Sequence, residues 1–253
     1  MIDTHCHLDF PDYNNDREQV LADARATGVR RMVNIGCDLK SSDAGVELAN
    51  CHAEIFAAIG FHPHDAKNYD DAAEQRLREL ASNFKVVAIG EIGLDFYRDH
   101  SPRDIQRRVF VRQIALAREL GLPLVIHIRN AYPEALDILI AEKAYESNVV
   151  LHCFSGTPAE ARQAADYGMF LSVGGVLTFT NSRLPELVKV LPRDLLLLET
   201  DAPYLTPHPH RGQRNAPAMI KLVYEKLAAV WQQDFTVVES AIDANAERFF
   251  EFE

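Results

Sequence analysis

The sequence predicts an α/β fold, a TIM-type (β/α)8 barrel, and three observations lead there. Eight short apolar runs recur along the 253 residues, separated by longer amphipathic stretches, the alternation expected of buried parallel strands joined by helices. The length suits one barrel of about 250 residues. Within the runs, nearly every His or carboxylate stands at the C-terminal end, where barrels build their sites. An open doubly wound sheet would share the alternation, but it would leave edges and would not gather all eight strand ends.

The first run, "MIDTHCHL", projects Asp3, His5 and His7 to one side as a strand, and Ile2, Thr4 and Cys6 to the other, because side chains alternate faces. The second, "RRMVNIG", brings no His or carboxylate. The third, "IFAAIGFH", ends at His62, with His64 two residues on, and the fourth, "VVAIGEIGL", carries Glu91. The stretch "SPRDIQRRVFVRQIALARELG" then reads as a helix. Val109, Leu116 and Leu120 share a face with Phe110, Ile114 and Ala117 beside it. Ser101 and Pro102 predict its N-cap and first turn, and Gly121 with Pro123 its end.

The fifth run, "LPLVIHI", ends at His127, with Arg129 two places on and on the same face. "NVVLHCF" ends at His152, and "TPAEARQAADYG" repeats the helix design with Thr157 as cap, Pro158 in the first turn and Gly168 at the stop. "MFLSVGG" is the seventh run. The eighth, "LLLLETD", ends in Glu199 and Asp201. Glu199 shares the face of Asp201 one pleat deeper, which predicts a buried supporting role rather than direct ligation. From about Thr236, "TVVESAIDANAERFFEFE" predicts an added C-terminal helix closing against the barrel. No linker or composition break divides the chain, so residues 1–253 are expected to form a single domain.

Composition narrows the function. No apolar run reaches the roughly 18 residues of a membrane span, and the N-terminus lacks a signal peptide's basic and apolar regions. A cytoplasmic protein is the expectation. The four cysteines (Cys6, Cys37, Cys51 and Cys153) form no CxxC pair and are read as reduced thiols. Alternation would point Cys6 and Cys153 away from whatever His7 and His152 face. A formal net charge of −11 disfavours a protein that holds nucleic acid on a basic surface. It leaves room for local phosphodiester chemistry, since bound cations reverse the field inside a pocket.

Histidine and carboxylate are the expected ligands of catalytic divalent sites, and His5, His7, Glu91, His127, His152 and Asp201 form such a set. Six ligands exceed what one catalytic zinc takes. Two metals fit better, about 3.5–4 Å apart if the site follows other binuclear centres. Glu91 is the natural bridge, with His5, His7 and Asp201 on one metal and His127 and His152 on the other. His62 and His64 stand between substrate contact and loop structure. No Ser-His-Asp or Cys-His arrangement competes.

The segments "DTHCHLDF", "IGFHPH", "IGEIGLDFYRD", "IHIR", "LHCFSG" and "LETDAPYL", in this order, resemble the TatD-type metal-dependent hydrolases. These are TIM barrels of the amidohydrolase superfamily, several of them deoxyribonucleases. The resemblance runs from Ile2 to about Phe250. It implies the same six metal ligands, and it suggests that Asp201 takes a proton from the attacking water while also ligating a metal. Relatives often carry Asn-Glu-Pro where this chain reads "RGQRNAP", with Ala216 in place of the Glu; that departure touches substrate preference, not the metal site.

The expected activity is therefore divalent-metal-dependent hydrolysis, foremost of DNA at strand ends or in single strands, because a barrel mouth does not easily engulf a duplex. DNA would be a substrate rather than a stable partner. Zinc, manganese and magnesium are all compatible with the ligands. Arg129, Arg211 and Arg214 could reach phosphate oxygens. Phe61, Phe96, Phe154 and Tyr204 flank the ligands, where they either stack on bases or pack the rim. The alternatives are a hydrolase of a small amide, ester or lactone, and a non-catalytic metal- or nucleic-acid-binding protein. With no evident interface, a monomer is the default expectation.

Overall fold

The computed structural model describes residues 1–252. Eight strands, β1 (Ile2–Cys6), β2 (Arg31–Ile35), β3 (Ile55–Ile59), β4 (Val86–Asp95), β5 (Leu124–Arg129), β6 (Val149–Leu151), β7 (Phe170–Val173) and β8 (Leu196–Leu198), lie side by side in chain order. Every pairing between successive strands is parallel. The ring closes just beyond the ends of β8 and β1: Cys6 bridges to Ala202, the Asp201 N–H donates to the His5 carbonyl at 2.9 Å, and the His7 N–H donates to the Ala202 carbonyl at 2.8 Å. The architecture is the TIM barrel that the alternation predicts.

Around it run α1 (Arg17–Thr27), α2 (Leu39–Cys51), α3 (Asp71–Leu80), α4 (Arg103–Leu120), α5 (Tyr132–Ala141), α6 (Pro158–Asp166), α7 (Leu184–Val190) and α8 (Ile220–Trp231), and α9 (Phe235–Phe250) follows. None of the described helices is long and apolar enough to cross a membrane.

The strands are buried on both faces, which is why they read as continuous apolar runs. Val33, Phe56, Val87, Val125, Val150 and Leu197 belong to an inner cluster. Their neighbours Met32, Ile55, Ile126, Leu151 and Leu196 belong to the layer beneath the helices. Within β5, strand alternation carries the inner column upward from Val125 to His127, and His152 and Glu199 follow two residues after Val150 and Leu197, just past the ends of β6 and β8. Apolar side chains fill the lower barrel and polar ones arrive at its C-terminal mouth. Helix α9 stoppers the other end. Its Phe249 and Phe250 join the inner cluster, and Phe249 meets Phe170 edge-on at 5.1 Å.

Local signals mostly act as read. Thr157 caps α6 in a reciprocal capping box with Glu160, Gly121 ends α4 in a left-handed conformation, and α9 starts one residue before Thr236. Ser101 is a correction. Pro102 occupies the cap position of α4 without a side-chain bond, while the buried Ser101 hydroxyl donates to the His64 carbonyl at 2.7 Å and accepts the Lys67 N–H at 3.1 Å. It anchors the loop after β3 instead of capping a helix.

Candidate metal centre

Glu91, within β4, is the hub of the mouth. Its Oε1 lies 2.7 Å from His127 Nδ1 and 2.7 Å from His152 Nε2, and 3.7 Å from His62 Nε2. Its Oε2 lies 3.6 Å from His5 Nε2. Across the opening, Asp201 Oδ1 stands 3.7 Å from His5 Nε2 and 3.6 Å from His7 Nε2. The His5 and His152 rings are stacked at 4.0 Å. Three sets of side chains each place their ligating atoms within 4.8 Å of one another: His5, His152 and Asp201; His5, His7 and Glu91; His62, Glu91 and His127. Every set contains His5 or Glu91. All six residues expected to ligate metal thus meet at one place, and His62 joins them.

The strands do only part of the positioning. His5 and His127 lie within β1 and β5, but His7, His152 and Asp201 lie beyond the ends of β1, β6 and β8. Asp201 and Cys153 take left-handed backbone conformations, with φ of 53° and 45°. Because β6 stops at Leu151, strand alternation does not orient Cys153. Its amide instead donates to Glu199 Oε1 at 2.7 Å.

Hydrogen bonds distinguish the ring nitrogens. His7 Nδ1 lies 3.1 Å from the Ile35 carbonyl and donates to it, which leaves the Nε2 lone pair facing Asp201. The fully buried Glu199 stands behind His152, its Oε1 3.5 Å from Nδ1, as its deeper position suggests. His62 is the reverse case. Its Nδ1 accepts the His64 N–H at 3.1 Å, so the neutral ring carries its proton on Nε2 and presents a donor, not a lone pair.

Both nitrogens of His5, Nδ1 of His152 and Oε2 of Glu199 are buried without hydrogen-bond partners among the described residues. Such groups are rare in folded proteins, and here they collect where the ligand types for zinc, manganese or magnesium converge. The donor set fits a divalent-metal site. Burial, reinforced by neighbouring His152, pushes His5 well below the ordinary imidazole range, keeping it in the neutral form that coordinates metal. Burial alone would raise the Glu91 carboxyl, but His152, His62 and His127 outweigh it and hold the group well below its usual range. Beneath the site, burial lifts Asp3 to about 7 despite its bonds from Thr200 and His5.

The expected substrate contacts divide. Arg129 is exposed, stacked 4.1 Å above Tyr97, and makes no ion pair among the described residues. Arg211 is likewise exposed, 3.7 Å over Phe179. Tyr204 is 54% exposed, its edge toward His7 and Phe10. His64 is held 2.9 Å from Asp95. Arg214 is committed elsewhere: it pairs with Asp16 at 2.5 Å and lies over Tyr13. Phe61 and Phe154 are core residues, and Phe96 packs under Arg103 and Arg107. Of the four aromatics, only Tyr204 is open enough to stack on a base. Ala216 sits beside Asn215, whose Nδ2 donates to the Thr200 and Tyr204 carbonyls at 2.8 and 2.6 Å.

Two residues of the site go unnoticed in the sequence. Phe10 stacks on His7 at 4.6 Å, and Asp95 bonds both His64 and His127. The spacing does contain a signal for Asp95, which lies four strand residues after Glu91 and so on the same face.

A (β/α)8 barrel whose mouth gathers histidines and carboxylates defines a metal-dependent hydrolase. The family model described as TatD related DNase matches residues 2–251, and the chain belongs to that family. It is 43% identical to the uncharacterized metal-dependent hydrolase YabD of Bacillus subtilis, over 99% of this chain and 98% of that one. It is 38% identical to the 3'-5' ssDNA/RNA exonuclease TatD of Cronobacter turicensis, over 99% and 97%. The crystal structure of YjjV, a TatD homologue from Escherichia coli K12, superposes with a TM-score of 0.94 at 29% identity, covering 100% of this chain and 98% of that one.

Proposed function

We propose that this enzyme is a nuclease that hydrolyses phosphodiester bonds of DNA at strand ends or in single strands, with two divalent cations held by His5, His7, Glu91, His127, His152 and Asp201. The central position of Glu91 carries the reading. One of its oxygens faces His5 while the other faces His127 and His152, the disposition wanted of a carboxylate shared between two metals. When bound, divalent cations polarise a phosphoryl oxygen and acidify water.

The chain's own residues supply the rest. Asp201 is the most exposed carboxylate of the cluster, at 14%, and is aimed inward by its backbone bond to His5. It takes the proton of the attacking water. The His62 Nε2–H donor stands ready for a substrate oxygen. Arg129 and Arg211, which make no ion pair among the described residues, receive phosphates flanking the scissile one, and Tyr204 offers a face to a terminal base. The name of the Cronobacter turicensis relative, a 3'-5' ssDNA/RNA exonuclease, supports this substrate class.

The test is hydrolysis of a labelled single-stranded oligodeoxynucleotide in EDTA and in added Mg²⁺, Mn²⁺ or Zn²⁺, beside a Glu91→Ala variant. Metal-dependent shortening that disappears with Glu91 is expected. Absence of cleavage with every metal, while the protein still binds metal, would overturn the nuclease reading in favour of a small ester, lactone or amide as substrate.

A further inference from the structure

Asp95, the last residue of β4, is fully buried, and both its oxygens are engaged. Oδ1 accepts the backbone N–H groups of Tyr97 and Arg98, each at 2.9 Å. Oδ2 lies 2.9 Å from His64 Nε2 and 3.2 Å from His127 Nε2. From α4, Gln106 clamps the main chain: its Oε1 accepts the Asp95 N–H at 2.9 Å and its Nε2 donates to the Asp95 carbonyl at 3.1 Å. The carboxylate therefore has one available pose.

An ionised carboxylate only accepts hydrogen bonds, so an imidazole bonded to Asp95 presents Nε2–H to it. A neutral imidazole carries a single N–H. His127 stands between two carboxylates, its Nδ1 2.7 Å from Glu91 Oε1 and its Nε2 3.2 Å from Asp95 Oδ2; with a cation between Glu91 and Nδ1, the single ring proton would sit on Nε2, against Asp95. We propose that Asp95 is a positioning residue that fixes the tautomer and orientation of His127 for metal ligation, and that its shared Oδ2 ties the His64 loop to that ligand. A carboxylate behind a ligating histidine sets which nitrogen is free and strengthens it as a donor. The inference rests on the assignment of His127 as a ligand.

Asp95→Asn tests it. The amides of Tyr97 and Arg98 select the Asn oxygen, which turns the NH₂ group toward the two histidines. His127 must then accept at Nε2 and carry its proton on Nδ1, the nitrogen required by the metal. Two readouts apply: zinc affinity by chelator competition, and ¹⁵N NMR of the histidine rings in the zinc-loaded protein. Zinc affinity should fall about 10- to 100-fold, and the His127 ring should lose the wild-type pattern of a metal-bound Nδ1 with the proton on Nε2.

His127→Ala serves as the reference. If it keeps wild-type zinc affinity, the ligand assignment fails and the Asp95 proposal with it. If it loses affinity while Asp95→Asn does not, the proposal alone is overturned. Should Asp95→Asn not fold, the wild-type spectrum still decides, because an Nδ1–H tautomer there refutes the proposal without any variant.

Discussion

At Gly93 the fold accepts no side chain. The residue pairs in register with His127 across β4 and β5 and has φ of 138°, a conformation that L side chains rarely adopt. A Cβ there would overlap the His127 carbonyl oxygen and approach its amide nitrogen to 3.2 Å. Both are backbone atoms, which cannot swing aside as a side-chain tip can. Gly93→Ala should therefore cost about 2–4 kcal/mol, read as a lowered urea midpoint with unchanged m-value; an unaltered midpoint would mean that the β4–β5 spacing is elastic. The candidate ligands at this scale are legible in the sequence because their types recur at the ends of the apolar runs, although β1 shifts register between Asp3 and Cys6 and His7 and Asp201 lie beyond their strands. Side-chain partnerships are not legible. Ser101 resembles a helix cap and Arg214 a phosphate contact until the fold brings His64 to one and Asp16 to the other, from 37 and 198 residues away.

The strands could be read one by one because a strand buried on both faces leaves a continuous apolar trace. The destination of α9 could not. Its sequence announces an amphipathic helix from about Thr236 but not which end of the barrel it seals, since that depends on where Phe56, Phe170 and Leu197 converge. The helix ends in Phe249 and Phe250, both buried against that convergence. Phe249→Ala would open a cavity in the stopper, with an expected loss of about 3–5 kcal/mol by denaturant titration. The residues proposed to bind metal stand at the opposite end of the strands, so zinc affinity measured under native conditions should not change. A parallel loss of zinc affinity would show that the stopper and the mouth are mechanically coupled.

Taken whole, the molecule carries a formal charge of −11, and most of its mouth-facing polar groups are histidines and carboxylates. Nucleic acid would have to be held locally rather than by a general basic surface. Three rim guanidinium groups make no ion pair among the described residues and lie over aromatics, Arg98 and Arg129 over Tyr97 and Arg211 over Phe179; with Arg129 and Arg211 as the proposed phosphate contacts, the number of phosphates neutralised by side chains should be about two. For a single strand the slope of log affinity against log salt is about −0.7 per phosphate neutralised, which puts the whole at about −1.4. The measurement is log kcat/KM for a short single strand against log KCl at constant metal. Arg129→Ala should shallow the slope by about 0.7. A wild-type slope of about −4 or steeper would reveal a basic tract engaging many phosphates, contrary to the charge distribution. If Arg129→Ala left the slope unchanged, the strand would have to cross the mouth without touching β5, and Arg211 with the bound cations would have to orient it alone.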